Sequence, residues 1–299
     1  MTIKHLVISG GGPLGFRFIG ALQRLEERAY WAHNNIQSIY GTSVGSIIGA
    51  FICLNYDWET LTKYVLERPW HQAFKLNARQ IFDSYYNKGL FDKRFMEIIF
   101  KPLLEAKDLS LNITLAELYA FSNIDLHIFT FDLNKFETLE LSHESHPNLA
   151  LTQALTMSSA LPGLFMPTIM DGCCLVDGGV LANYPLSYCL NKYPNANEIL
   201  GIKSTYDEKT PINNVIITEE SSLLEYVSSI TINTINFLKK NIKEEQILNT
   251  VTCKFTESPI KLETLHKTIL SQEFRQELYA IGVKDADDFL ENQNNLEPL

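Results

Sequence analysis

The feature that most constrains this chain is a pattern met twice before Asn55: a short apolar run closed by glycine, followed by a helix-like segment. His5-Leu6-Val7-Ile8-Ser9 runs into Gly10-Gly11-Gly12-Pro13-Leu14-Gly15, and Ile19 to Ala32 then carries apolar residues at helical spacing, with Leu22, Leu25 and Tyr30 among them. Ile36-Gln37-Ser38-Ile39-Tyr40 ends at Gly41, and Ser43 to Leu54 holds the few polar residues expected of a helix buried on most sides. Strands joined through helices pair in parallel, so this opening predicts an α/β fold.

The rest of the chain fits one such domain. Asp57 to Lys107 reads as a helical excursion from the sheet, broken at Pro69, Gly89 and Pro102, with Asp57 and Thr114 as N-caps of helical segments. Leu126 to Leu133 and Phe136 to Leu141 form a hairpin-like pair across Asn134-Lys135. Leu149 to Ser158 reads as helix. A Pro- and Gly-rich loop, Leu161 to Gly172, leads into Cys173 to Val176 and the turn Asp177-Gly178-Gly179. Glu198 to Ser204 is a further strand, Ser221 to Ile242 a long amphipathic helix, and the stretch after residue 205 reads as a helical flank.

Composition excludes several function classes. A chain of 299 residues with 45% hydrophobic content can build a core without disulfide or metal staples. A formal net charge of −10, with no basic run longer than Lys239-Lys240, argues against nucleic-acid binding and long-range attraction to anionic lipid. Five cysteines without zinc-ligand spacing point to a reducing compartment. The N-terminus lacks the elements of a signal peptide, and the longest apolar stretch, Val44 to Leu54, is too short to span a bilayer. A cytoplasmic or membrane-peripheral location follows as the expectation.

Gly41-Thr42-Ser43-Val44-Gly45 fits Gly-x-Ser-x-Gly between a strand and a helix. That spacing holds a nucleophilic serine in a sharp turn, with its glycines allowing close backbone approach and Ser43 at a helix N-terminus. A plain tight turn is the alternative. Gly10 to Gly15 satisfies Gly-x-Gly-x-x-Gly, yet the second strand lacks the acidic residue a dinucleotide site needs at its end. The same glycines serve equally as an oxyanion hole of backbone N–H groups. As base for Ser43, the histidines His5, His33, His71, His127, His143, His146 and His266 mostly have packing or solvated readings. Asp177, at a strand end before Gly178 and Gly179, is the stronger candidate.

At these residues the chain resembles the patatin-like phospholipases. The likeness lies in four blocks in the family's order: Gly10 to Gly15 followed by Ile19-Gly20-Ala21-Leu22; Gly41 to Ser46; Ser158-Ser159-Ala160-Leu161-Pro162 with Phe165 and Pro167; and Asp177-Gly178-Gly179-Val180-Leu181-Ala182-Asn183-Tyr184-Pro185. Phe131-Asp132-Leu133-Asn134 is similar to a further family segment. The resemblance implies a three-layer α/β/α fold with a central, mainly parallel sheet, residues 1–205 forming the catalytic domain and residues 206–299 a helical C-terminal flank of that domain. It implies a phospholipase A type lipid acyl hydrolase with Ser43 as nucleophile, Asp177 as proton acceptor and an acyl-enzyme. Gly10, Gly11, Gly12 and Gly15 form the oxyanion loop, Gly41, Thr42, Val44 and Gly45 the nucleophile elbow, and Gly178 and Gly179 the dyad turn. No cofactor or metal is implied; the partner is a phospholipid or other acyl lipid, with peripheral membrane contact. An aspartate with an ordinary pKa of about 4 is a weak base for serine, so this chemistry needs Asp177 desolvated and Ser43 stabilised as its proton leaves.

One departure stands out. The family commonly places Lys or Arg where this chain has Leu14, and Arg17, one helical turn on, is the candidate for charge support in its place. The apolar loop Leu161 to Met170 either forms a lip that dips into lipid or packs on the core beneath Asp177. A Ser-His-Asp esterase and a catalytically silent lipid- or partner-binding scaffold are the alternative functions.

Overall fold

The computed structural model describes residues 2–74, 86–206, 217–219, 221, 226–227, 229–230, 233–234, 237, 245–255 and 262–296. The helix expected over Ser221–Ile242 lies mostly outside the described residues. Strands β1 (His5–Ile8), β2 (Ser38–Thr42), β3 (Asp125–Asp132), β7 (Ile199–Tyr206) and β8 (Thr250–Phe255) pair in parallel. Strands β4 (Glu137–Leu141), β5 (Thr168–Met170) and β6 (Cys173–Asp177) join by antiparallel pairing. The order is β5-β6-β3-β2-β1-β7-β8, with β4 also on β3.

Strand periodicity sorts the core onto the two faces of the sheet. Leu6, Ile8, Ile39 and Ile128 pack in a large cluster with α1 (Gly15–Glu27) and α2 (Val44–Cys53). Their strand neighbours Val7, Tyr40 and Phe129 pack in a second cluster with Leu186 and Cys189 of the short helix Leu186–Lys192. Helices on both faces make a three-layer α/β/α arrangement. Asp57 and Thr114 cap helices as their sequence predicts: Asp57 accepts the Thr60 N–H at 2.8 Å, and Thr114 forms a reciprocal capping box with Glu117. No helix among the described residues is long and apolar enough to cross a membrane.

The strand β3 organises the site. Along one edge, β4 pairs with Ile128–Asp132, which leaves the opposite edge for two other strands. On that edge β2 runs parallel, ending with Thr42 opposite Phe129. Strand β6 arrives from the other direction and ends with Asp177 opposite Thr130. Strands β2 and β6 therefore meet end to end, at successive residues of β3.

Within the stretch after residue 205, read as a helical flank, the structure adds one strand, β8. Val251, Cys253 and Phe255 are buried while Thr252 and Lys254 are exposed, a period-two pattern confined to six residues. Two helices follow, here α3 (Leu262–Leu270) and α4 (Gln272–Leu296), the latter lying along α1. Arg275 of α4 is buried and donates from Nε to the Leu66 carbonyl at 2.8 Å, from Nη1 to Thr268 at 2.8 Å and from Nη2 to Arg68 at 3.1 Å. These carbonyls lie at the C-terminal ends of the helix Trp58–Glu67 and of α3, where an unpaired acceptor and the helix dipole both favour a cation. One guanidinium thus fixes α3 beside the rest of the molecule.

Arg275→Met keeps the stem and removes the guanidinium's hydrogen bonds. It is expected to cost about 1–3 kcal/mol in urea unfolding, the penalty of leaving buried carbonyls unpaired; an unchanged midpoint would mean that α3 is held by packing alone.

Candidate active site

Ser43 stands between β2 and α2 with φ 54° and ψ −124°, a backbone state that costs a non-glycine residue on the order of 1–3 kcal/mol. The turn closes because its glycines have no side chain. A Cβ on Gly45 would lie 2.2 Å from the Ile8 carbonyl oxygen, and one on Gly41 would lie 2.7 Å from the Gly45 backbone. Held in this turn, Ser43 Oγ donates to Asp177 Oδ2 at 2.8 Å. The second carboxylate oxygen, Oδ1, accepts the Gly179 N–H at 2.7 Å, so the Asp177-Gly178-Gly179 turn orients its own acid. Both side chains are buried.

Sequence reasoning gave Ser158 no role of its own. It ends the helix Leu151–Ser158, and its Oγ accepts the Ser43 N–H at 2.8 Å while donating to the Phe129 carbonyl at 2.6 Å. Two residues on, the Ala160 carbonyl accepts the Asp177 N–H at 3.0 Å. The hints in the sequence are a hydroxyl residue ending a helix just before the Pro-rich loop and its place at the head of the third block of resemblance.

The glycine loop is corrected in detail. Gly10 N–H donates to the Asn183 carbonyl at 2.9 Å, and Gly15 N–H to the Gly12 carbonyl, so neither is an available oxyanion donor. Pro13 has no N–H. Among the described residues, Gly11 and Gly12 keep N–H groups without a partner. Ser204 Oγ donates to the Gly10 carbonyl at 2.8 Å and ties this loop to β7.

Arg17 is also corrected. Its guanidinium makes two hydrogen bonds to Asp285 and one to the Lys254 carbonyl, and stacks over Phe255. Burial opposes its charge, but Asp285 outweighs that and raises the pKa. Arg17 therefore locks α4 to α1 and gives no charge support at Ser43. Leu14 is buried, and among the described residues no Lys or Arg lines the cavity at the site.

That cavity has a volume of about 250 Å³. Ser43, Asp177, Gly11 and Gly12 stand at one part of it, and Phe51, Val65, Trp70, Met96 and Ile99 line its apolar reach. Phe165 faces this space and packs against Phe91 and Phe95, with ring centroids at 5.4 and 4.9 Å, which favours the core-packing reading for that residue.

Among the described residues no histidine lines the cavity. His5 donates or accepts at Ser38 Oγ, 2.8 Å away, and stacks on Tyr193; burial lowers its pKa to about 4. His127 is wedged between Asp125 and Glu140, at 2.8 and 2.5 Å. Burial opposes its protonation, but the two carboxylates outweigh burial and raise its pKa. Asp125 is pushed up by burial yet pulled down to about 2 by His127 and Lys192. His143 pairs with the same Asp125 at 2.8 Å.

The patatin-like phospholipase family matches residues 6–190. The protein R571 of Acanthamoeba polyphaga mimivirus is 30% identical over 71% of this chain and 72% of its own length. The probable lipid hydrolase 463L of Invertebrate iridescent virus 6 is 28% identical over 64% of each chain. A lysophospholipase, NTE1 of Candida albicans, is 22% identical over 70% of this chain, which spans 14% of that protein. Among solved structures, VipD from Legionella pneumophila superposes with a TM-score of 0.57 at 16% identity, covering 97% of this chain and 67% of that one. The type III effector ExoU gives 0.50 at 13% identity, covering 99% and 54%. At these identities the structural likeness concerns the fold.

Two outcomes follow from the geometry. Gly45→Ala is expected to be severely destabilised or insoluble, because its methyl group meets the β1 backbone rather than a movable side chain; a soluble variant with native thermal stability would contradict the tight-turn account. For His127 the sign of the pH effect is fixed by its raised pKa: its stabilising contribution is complete below the ordinary value of 6.5 and is lost as pH rises through the folded value. The drop in unfolding free energy between about pH 7 and about pH 9 should be larger for wild type than for His127→Gln, and equal slopes would show that the ion cluster carries no pH linkage.

Proposed function

The chain belongs to the patatin-like phospholipase family, and we propose that within it the protein is a phospholipase A type lipid acyl hydrolase working through Ser43 and Asp177. The observation that carries this reading is the 2.8 Å hydrogen bond from Ser43 Oγ to Asp177 Oδ2, made in a cavity whose lining includes two free backbone donors and a long apolar wall. An acyl chain fits that wall, and its ester carbonyl then meets Gly11 and Gly12.

In the proposed reaction Asp177 accepts the Ser43 proton as Oγ attacks the ester carbon. Negative charge on the carbonyl oxygen is met by the Gly11 and Gly12 N–H groups, and the N-terminus of α2 behind Ser43 favours the charge developing there. Asp177 returns its proton to the departing alcohol, leaving an acyl-enzyme at Ser43. Water then gives a proton to Asp177, attacks the acyl carbon and frees the fatty acid. The reading needs no histidine, in keeping with a described cavity lining that holds none. A silent binding scaffold would have no use for a strained serine aligned on a buried carboxylate, whose maintenance costs stability.

Docking to a lipid surface belongs to the same proposal. With Phe165 turned into the cavity, Ile169 on β5 is the exposed apolar residue of this loop region, at 63%. Ile169→Asp should weaken partitioning to phospholipid vesicles while leaving hydrolysis of a soluble short-chain ester intact; unchanged partitioning removes Ile169 from the contact.

Fatty acid release from mixed phospholipid vesicles, with a chelator present, tests the main reading. Ser43→Ala should abolish release, and Asp177→Asn should lower it by at least about 10²- to 10⁴-fold, the usual worth of a positioned base. Activity retained in folded Asp177→Asn would exclude the dyad.

A further inference from the structure

Ser159 is buried to 6% exposure, lines the cavity, and has a hydroxyl oxygen without a hydrogen-bond partner among the described residues. An unpaired buried hydroxyl costs stability unless something occupies it. The other polar side chains of the lining are engaged within the protein. Ser43 is bonded to Asp177, Ser204 and Asn183 to the Gly10 carbonyl, Thr268 to the Thr264 carbonyl and Trp70 to the Val65 carbonyl. Ser159 is the exception, and its position in the chain is particular. The residue before it holds the nucleophile through the Ser43 N–H, and the residue after it holds the base through the Asp177 N–H. Its backbone N–H is turned away, donating to the Leu155 and Thr156 carbonyls.

We propose that Ser159 Oγ holds the water that attacks the acyl-enzyme. This rests on the Ser43–Asp177 reading above and adds a residue to its second half. A water placed for that attack needs two or more polar partners, and Asp177 supplies one. Ser159 supplies the other: the water donates one O–H to the Asp177 carboxylate and the second to Ser159 Oγ, which leaves a lone pair directed at the acyl carbon. As the new C–O bond forms, the first proton passes to Asp177; as the bond to Ser43 breaks, that proton passes to Ser43 Oγ. The fatty acid leaves and Ser159 is unchanged. During acylation the water is absent, so Ser159 has no part in that step.

The test separates the two steps. With a p-nitrophenyl ester of a medium-chain fatty acid, Ser159→Ala should keep the rate and amplitude of the first p-nitrophenol release, while steady-state turnover falls about ten-fold, the worth of one hydrogen bond to the reacting water. Intact-protein mass spectrometry should find the acyl adduct accumulating on Ser43 in the variant. Ser159→Thr, which keeps the hydroxyl, should restore most of the turnover and guards against a packing effect. A slowed first release with unaltered adduct level would put Ser159 against the leaving alcohol and overturn the assignment, as would an unchanged rate of adduct decay in Ser159→Ala. Hydrolysis retained in folded Ser43→Ala would instead defeat the nucleophile reading itself, and this inference with it.

Discussion

Everything at the site hangs on one edge of β3. Two strands compete for it, one parallel and one antiparallel, and the sheet resolves the competition by giving β2 the residues up to Phe129 and β6 those from Thr130. A strand that simply continued would satisfy the same backbone groups without producing a gap. By ending two strands against each other, the fold makes a place where a helix must begin on one side and a turn on the other. Ser43 and Asp177 are the residues that fill those two exits. The surrounding polar groups serve this junction: Thr130 Oγ1 donates to the Met157 and Val176 carbonyls, and Ser158 bridges the Phe129 carbonyl to the Ser43 N–H. Gly178 is part of the same fit, its hydrogen atoms facing the Phe129 carbonyl at a distance no Cβ tolerates.

Rigidity at the junction is matched by anchoring farther out. The glycine loop is tied at Gly10 to both Asn183 and Ser204, and its next two residues, Gly11 and Gly12, line the cavity. On the far side, Arg17 and Arg275 fasten α4 to α1 and α3 to the helix before Pro69. Both guanidiniums are buried and both act on structure. Among the described residues, the acidic chain thus uses its buried arginines as clamps. The described lining at Ser43 has no cationic side chain.

The parts of this that are legible in the sequence are those where local chemistry and global fold want the same thing. The two glycine-terminated strands, the caps at Asp57 and Thr114, the β3–β4 hairpin and the Ser43 and Asp177 turns all announce themselves through residues that have few other uses. What was not legible depends on partners distant in the chain. Arg17 sits one helical turn from the place where charge was wanted, and only Asp285, 268 residues later, decides where its guanidinium goes. Gly10 and Gly15 look identical to Gly11 and Gly12 until Asn183 and the 3₁₀ turn claim their N–H groups. Strand β8 is six residues of ordinary alternation, too short to outweigh the helical pattern around it until β7 offers it an edge. Ser158 could be found only by asking what accepts the N–H of a serine in a strained turn.

The end-to-end meeting of β2 and β6 also has a meaning in time. The two members of the hydrogen-bonded pair are 134 residues apart, so during synthesis at about 5–20 residues per second the serine emerges roughly 7 to 27 seconds before its carboxylate. In about the last third of that interval, once β3 has been made, β2 can pair on it while the stretch of edge beyond Phe129 stands empty. A nascent chain in this state has the Ser43 turn without the strand that carries Asp177. Such an order of assembly keeps Ser43 apart from Asp177 until the last antiparallel strand has docked.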